Sequence, residues 1–330
     1  MAPVNSPSSP ADGPLVGELD EDALLARILP QLPRGAATLV PPGDDAAVVA
    51  APDGRFVVTT DVLVEDHHFR RRWSDGSDVG QRAAVQNLAD VAAMGAHPTS
   101  LVVSLVVPGD LPAQWVEDLA RGFAAVCGPL DVGVVGGDLS GGPVVVVSVT
   151  AHGDLEGRDP VLRSGARAGD VVAHAGVRGR SAAGWALLEA GRGAAHPGLV
   201  DAYLRPSSPL ASGVAAARAG ASAMLDVSDG LLRDAGRIAR ASGVALDLEG
   251  PSAFAADLAA LEPAARELAA DAGDWVMTGG EDHGLLATFP ASATLPVGFA
   301  AVGRVVSGAP GVLVQGEPWS GTGGWDHFER

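Results

Sequence analysis

A mixed α/β chain of two domains is what this sequence predicts, and three observations carry that expectation. Strand-like and helix-like segments alternate along it. Its 330 residues suit two ordinary domains or one large one. A stretch of turn residues, Arg158-Asp159-Pro160-Val161-Leu162-Arg163-Ser164-Gly165, places a domain boundary near its middle. Apolar residues make up 47% of the chain, rich in Ala and Val and poor in aromatics, so small side chains should build the core.

The chain opens with residues rich in Pro, Ser, Ala and Gly, expected to form a disordered tail over 1–17. Leu24, Leu25, Ile28 and Leu29 have helical spacing after the acidic start Asp20-Glu21-Asp22. The apolar run Ala46 to Ala51, the turn Pro52-Asp53-Gly54 and the run Phe56 to Asp61 read as a β-hairpin. Folded about Asp53, it sets Asp45 opposite Asp61. Two facing carboxylates repel unless a cation sits between them, although a solvated turn and a strand terminator explain them as well. Asp78 to Met94 reads as a helix with Ser77 as N-cap and Gly95 at its end. Asp90 is its one charge in an otherwise apolar last stretch, with Asn87 a turn earlier, and such a carboxylate calls for a metal or a salt bridge, for instance to Arg82. Ser100 to Val107 reads as a strand and Pro112 to Cys127 as a helix. Val132 to Val135 reads as a strand ending in Gly136-Gly137-Asp138, whose glycines let backbone approach a ligand, and Val144 to Val149 as a further strand.

Past the boundary, strand, glycine turn and helix alternate again. Val171 to Ala173 is followed by Gly179 and the helix Ser181 to Ala190. The short strand Ala223-Met224-Leu225 leads into Asp226-Val227-Ser228-Asp229-Gly230 and the amphipathic helix Leu231 to Ala241. Two acids and a hydroxyl on one strand-to-helix turn exceed what an N-cap needs. Gly279-Gly280-Glu281-Asp282-His283 precedes the strand Leu285 to Phe289, and Trp325-Asp326-His327-Phe328 lies close to the C-terminus.

Composition removes several function classes. A net charge of −18 opposes nucleic acid as a partner. All 22 basic residues are arginine, so no lysine exists to serve a Walker loop, a Schiff base or a kinase strand. No apolar run is long enough to span a bilayer, and a cytoplasmic protein without a membrane partner is expected. Cys127, the single cysteine, sits in an apolar helical stretch and suits a core position better than a nucleophile. His67 and His68 are adjacent and would point apart in extended chain. What remains is a dispersed set of aspartates, an oxygen-only donor set that suits Mg²⁺ better than Ca²⁺ or Mn²⁺, and the matching chemistry is phosphoryl transfer.

Taken in order, Gly43-Asp44-Asp45-Ala46-Ala47, Thr59-Thr60-Asp61-Val62-Leu63-Val64-Glu65 with His68-Phe69, and Asn87 to Gly95 resemble the thiamine-monophosphate kinase family. So do Gly136-Gly137-Asp138, Arg163-Ser164-Gly165, Asp226 to Leu231, Gly279 to Asp282 and Trp325 to Phe328. The resemblance runs from about Gly43 to the end. It implies a two-domain aminoimidazole ribonucleotide synthetase-like fold, with mixed β-sheets flanked by helices and the N-terminal sheets of a homodimer joined in a barrel. It also implies an N-terminal ATP, magnesium and dimerisation domain over 18–155, with a C-terminal domain over 156–330 completing the site. The implied reaction is Mg²⁺-dependent, direct in-line transfer from ATP to thiamine monophosphate, giving thiamine diphosphate and ADP. Carried over by motif, Asp45, Thr59, Thr60, Asp61, Asp90, Asp138, Asp226 and Asp229 would hold magnesium, with Asp45, Asp90 and Asp229 central to catalysis. Gly137, Asp138, Arg163 and Ser228 would hold ATP, and His68, Glu281 and Trp325 would face thiamine, whose cationic ring suits an aromatic face and a carboxylate. The pattern departs at Asp66 (usually Gly), Ala89 (Ser), Leu139 (Thr) and His283-Gly284 (Tyr-Glu). Rival readings are another ATP-dependent relative, such as aminoimidazole ribonucleotide synthetase, and a catalytically silent nucleotide-binding regulator.

Overall fold

The structure, a computed structural model, describes residues 13–41, 46–319 and 324. The Gly43-Asp44-Asp45 and Trp325-Asp326-His327-Phe328 motifs, with most of the expected N-terminal tail, lie outside the described residues. The chain is a mixed α/β protein, as expected, and divides into two compact units. One is drawn from residues up to Val91 with Pro98–Gly157, the other from Ala92–His97 with residues from Arg158 onward.

The first unit carries helices α1 (Glu21–Ile28), α2 (Gly76–Ala93) and α3 (Ala113–Cys127) and strands β1 (Thr38–Val40), β2 (Val48–Val49), β3 (Val57–Val64), β4 (His97–Val107), β5 (Gly133–Gly141) and β6 (Val146–Asp154). Near its start, Val16 N and Gly17 N donate to Leu111 O and Gly109 O, so the chain is already hydrogen-bonded inside the stretch expected as tail. Asp20 begins α1 by accepting from Ala23 N at 2.8 Å. In α3, Val116, Leu119, Ala120, Phe123 and Cys127 form one buried stripe at helical spacing. The α2 helix is buried on nearly every side, with Val79, Ala84, Leu88, Ala89, Val91 and Ala92 at 0 % exposure. Its cap is not Ser77. Asp75 and Asp78 exchange bonds instead, each carboxylate accepting from the other's backbone N–H at 2.9 and 3.1 Å, a reciprocal arrangement that one serine cannot make.

The expected hairpin does not form. β3 pairs antiparallel with β6, which places Asp61 opposite Val149, and the sheet runs β3-β6-β4-β5. The Val48–Val49 strand pairs with β1 in a separate ladder. The reason is length: β6 matches β3 along its whole course from Val57 to Val64, which the two-residue β2 cannot offer. The glycine pair also differs from expectation. β5 does not end there but continues through Gly136-Gly137-Asp138, parallel to β4, with Gly137 beside Val103 and Asp138 beside Ser104.

The second unit has β7 (Val171–Ala175), α4 (Arg180–Glu189), α5 (Pro197–Leu204), α6 (Leu210–Arg218), β8 (Ala223–Val227), α7 (Leu231–Ser242), β9 (Ala245–Leu248), α8 (Ala255–Leu268), α9 (Ala272–Thr278), β10 (Gly284–Phe289), β11 (Phe299–Val306), β12 (Gly311–Val314) and β13 (Glu317–Pro318). Among the described residues its sheet has the order β13-β12-β9-β11-β7-β10-β8. One apolar cluster joins Leu225 and Val227 of β8 and Leu286 of β10 to Leu231, Ala235 and Ile238 of α7, and Val276 of α9 packs into it. β8 is an edge strand in this order and delivers the Asp226–Gly230 segment to the α7 start.

Candidate functional site

In the first unit the residue that stood out in sequence finds an oxygen partner. Thr59 Oγ1 donates to Asp90 Oδ2 at 2.8 Å, joining β3 to α2. Alternation along β3 sets Asp61 on the same face as Thr59. Thr60 points the other way, donating to Val149 O at 2.9 Å, so its side chain is not brought to this group. One turn before Asp90, Asn87 gives its Nδ2 to Ala83 O at 2.9 Å, while its buried Oδ1 has no protein partner. Asp138 is exposed on β5 and accepts from Ser140 Oγ at 3.2 Å. Beside it, a Cβ on Gly137 would stand 1.9 Å from Val103 O, whereas one on Gly136 would meet nothing within 4 Å. Gly136 and Gly137 line a groove of about 470 Å³ with Val102, Val135, Phe56 and His152, the last two in edge contact at 5.5 Å.

β3 ends in a turn rather than in extended chain. Val64 O accepts from both His67 N and His68 N, and the two imidazole rings lie 6.4 Å apart. Nδ1 of His68 accepts from Val64 N at 3.0 Å, which fixes the neutral tautomer with its proton on Nε2. Glu65, nearly buried, anchors the turn by accepting from Val145 N at 2.9 Å and pairing with Arg71.

In the second unit Asp226 is not on the turn but inside β8, buried and opposite Leu285 of β10. The β8–α7 turn and the 279–281 turn meet backbone to backbone. Glu281 N donates to Ser228 O at 2.7 Å, a Cβ on Gly280 would stand 2.5 Å from Ser228 O, and one on Gly230 2.4 Å from Thr278 O. Asp229 is paired with Arg237, which also binds Asp234, and Asp234 Oδ2 accepts from Asp229 N at 2.9 Å. Burial pushes Asp234 up to about 7 against the pull of Arg237. Burial works against a charged His283, but the Asp226 and Glu281 carboxylates outweigh it and raise its pKa to about 10. Arg163 is exposed, with its carbonyl accepting from Ser242 Oγ at 3.1 Å. Gly324, next to the Trp325 motif, returns to this turn: a Cβ there would stand 2.6 Å from Asp229 O.

The chain as a whole is similar to known proteins. Residues 43–155 match the family model described as AIR synthase related protein, N-terminal domain. The thiamine-monophosphate kinase of Mycobacterium tuberculosis is 48% identical over 317 residues, covering 96% of this chain and 94% of that protein. The chain belongs to the thiamine-monophosphate kinase family. It is a phosphotransferase. The Corynebacterium glutamicum thiamine-monophosphate kinase is 41% identical over 312 residues, 91% of this chain and 90% of its own. The solved structure described as AaThiL complexed with AMPPCP and TMP superimposes with a TM-score of 0.75 at 32% identity, covering 86% of this chain and 91% of its own. An aminoimidazole ribonucleotide synthetase-like fold is thereby established.

Against the family pattern, the structure gives several departures a physical setting. Asp66 adopts φ +65°, the left-handed region where the usual glycine is at ease and aspartate is among the better substitutes. Ala89 is fully buried. Gly284 has no room for a side chain, since a Cβ would stand 2.6 Å from His174 Nε2 and 2.7 Å from Ala175 O. No group of three or more His, Cys, Asp and Glu side chains able to hold a metal occurs among the described residues, which do not include Asp45. The donors present on α2 and β3 are nevertheless all oxygens, and the unpartnered Oδ1 of Asn87 beside Asp90 fits a hard cation better than a soft one. Sequence reasoning missed Asp234 and Arg237, and named His283 only as a departure from the family pattern. The first two carried a usable signal, an acid and a base three apart on one helix face.

Proposed function

We propose that the chain transfers the γ-phosphoryl group of ATP to thiamine monophosphate, forming thiamine diphosphate and ADP, by direct in-line displacement that depends on Mg²⁺. The observation that carries this reading is the Thr59–Asp90 oxygen pair on a chain so extensively matched to thiamine-monophosphate kinases. AMPPCP and TMP in the related AaThiL complex support ATP and thiamine monophosphate as substrates. Asp61, Asp90 and Thr59 in the first unit, with Asp45, Asp138, Asp226 and Asp229, are assigned to magnesium. Thr60, whose side chain faces away, can contribute only through its backbone. The cation supplies charge neutralisation at the transferring phosphoryl group.

The residues of this chain orient and bind. Gly137, Asp138, Arg163 and Ser228 are assigned to ATP, and His68, Glu281 and Trp325 to the thiamine portion. His68 is held in place by the bond from Val64 N to its Nδ1. The phosphate acceptor is already ionised at neutral pH, so no dedicated base is required. Residues 18–155 are assigned to nucleotide binding and dimerisation and 156–330 to completing the site. Val58 and Val62, exposed on the edge strand β3, and exposed Phe56 support a homodimer joined through the first unit's sheet. A cytoplasmic location suits both substrates.

A substrate panel decides the matter: ADP release with thiamine, thiamine monophosphate and aminoimidazole precursors, with and without Mg²⁺. Release with thiamine monophosphate alone, and only with the metal, is the expected result. No thiamine diphosphate with ample enzyme, metal and both substrates would remove the assignment.

A further inference from the structure

One guanidinium serves two carboxylates where β8 runs into α7. Arg237 gives Nη2 to Asp229 Oδ2 and Nη1 to Asp234 Oδ1, and Asp226 of β8 is near enough for its charge to act on Arg237 as well. The two paired acids are held differently. Asp234 is 0 % exposed, and its other oxygen accepts from Asp229 N at 2.9 Å, so it is locked beneath the turn and cannot reach water. A carboxylate buried so completely depends on a countercharge. Asp229 keeps some contact with solvent, its side chain being 14 % exposed, and that of Arg237 is 30 % exposed. The guanidinium can therefore leave Asp229 while another of its nitrogens stays on Asp234, because its planar fork presents separate donors in separate directions. The oxygen it covers on Asp229 is of the hard kind that a divalent cation takes, and two positive groups crowded onto one carboxylate repel each other.

We propose that Arg237 is a resident counter-ion for Asp229: its guanidinium occupies that carboxylate in the metal-free protein, and a divalent cation arriving at Asp229 displaces it onto Asp234 alone. The place of the cation at Asp229 rests on the function proposed above. Arg237 thus holds the turn together before the cation arrives and weakens the cation's binding by competing with it. Removing the guanidinium destabilises the metal-free protein and tightens the hold on the metal.

The test measures equilibrium binding of Mn²⁺, a paramagnetic stand-in for Mg²⁺, to the full-length protein without nucleotide, by electron paramagnetic resonance. Arg237→Gln should bind Mn²⁺ about fivefold more tightly than the parent. Its metal-free unfolding temperature, lowered by loss of the pair, should recover toward that of the parent as Mn²⁺ is added. Adding Asp229→Asn to Arg237→Gln should abolish the gain, since the cation then loses the carboxylate that the guanidinium had covered. Arg237→Lys keeps the charge without the fork, should give a smaller gain, and carries the test if Arg237→Gln does not fold. Mn²⁺ affinity equal to or weaker than that of the parent in the variants that fold overturns the proposal, as does a gain that survives Asp229→Asn. The titration needs no turnover. If the parent makes no thiamine diphosphate, the kinase reading fails by itself, and Mn²⁺ binding still decides the role of Arg237.

Discussion

The Thr59 hydroxyl donates to the Asp90 carboxylate at 2.8 Å, and this bond fastens an edge strand to a helix whose buried surface is largely apolar. A hydroxyl can give Asp90 only one hydrogen bond, and the charge of the carboxylate is what a cation would require. Asp90→Asn separates the two functions of the side chain. The amide oxygen still accepts from Thr59, so α2 keeps its attachment, while the negative charge is lost. Turnover to thiamine diphosphate should fall by about a hundredfold or more, with the unfolding temperature moving by no more than about 4 °C. Near-normal turnover in a steady-state assay would remove Asp90 from the cation site.

The two glycines of Gly136-Gly137-Asp138 make a second, internal comparison. Gly137 is required by the sheet itself, since its Cβ would enter the carbonyl of Val103 at 1.9 Å, and that atom belongs to the paired strand and cannot move aside. Gly136 faces open space. Gly137→Ala should cost about 1–3 kcal/mol in urea unfolding, whereas Gly136→Ala should stay within about 0.5 kcal/mol. If Gly136→Ala leaves stability intact but weakens ATP, its openness belongs to the groove it lines. Equal stability losses for the two variants would show that β4 and β5 do not approach as closely as described.

Much of this was legible in the sequence where the signal was local. The α3 stripe, α7 following its acidic turn, the glycine at the end of α2 and the isolation of Asp90 all follow from spacing and residue type. Strand pairing was not legible, because a turn at Pro52-Asp53-Gly54 indicates where chain reverses but not which strand is the partner. β3 found a partner about ninety residues away in β6 because that strand matches its full length. The burial of Asp226 was likewise hidden: a strand end and the first residue of a turn look alike until β10 is seen beside β8. The contact of His283 with Asp226 was the least legible, since it depends on the register that sets β10 beside β8. Asp282, next to His283, carries the clearest consequence for pH.

Asp282 is buried, and its Oδ1 accepts from Ser181 N at 2.8 Å, closing the first turn of α4. Burial pushes its pKa up to about 7, while the backbone N–H groups at the start of α4 and the charge of His283 hold it from going further. In the unfolded chain the same carboxyl titrates near 3.8. Between those values the native protein keeps a proton that the unfolded chain has lost. The contribution is therefore complete below the unfolded value and disappears as pH rises through the folded one. Asp282→Asn retains an oxygen for Ser181 and has no proton to lose. Urea unfolding of the parent and of the variant at steps between pH 4.5 and 8, about the span in which the linkage acts, should show the parent losing stability relative to the variant as pH rises. Parallel stability curves would mean that Asp282 is ionised across the whole range and that the amides of α4, rather than burial, govern it.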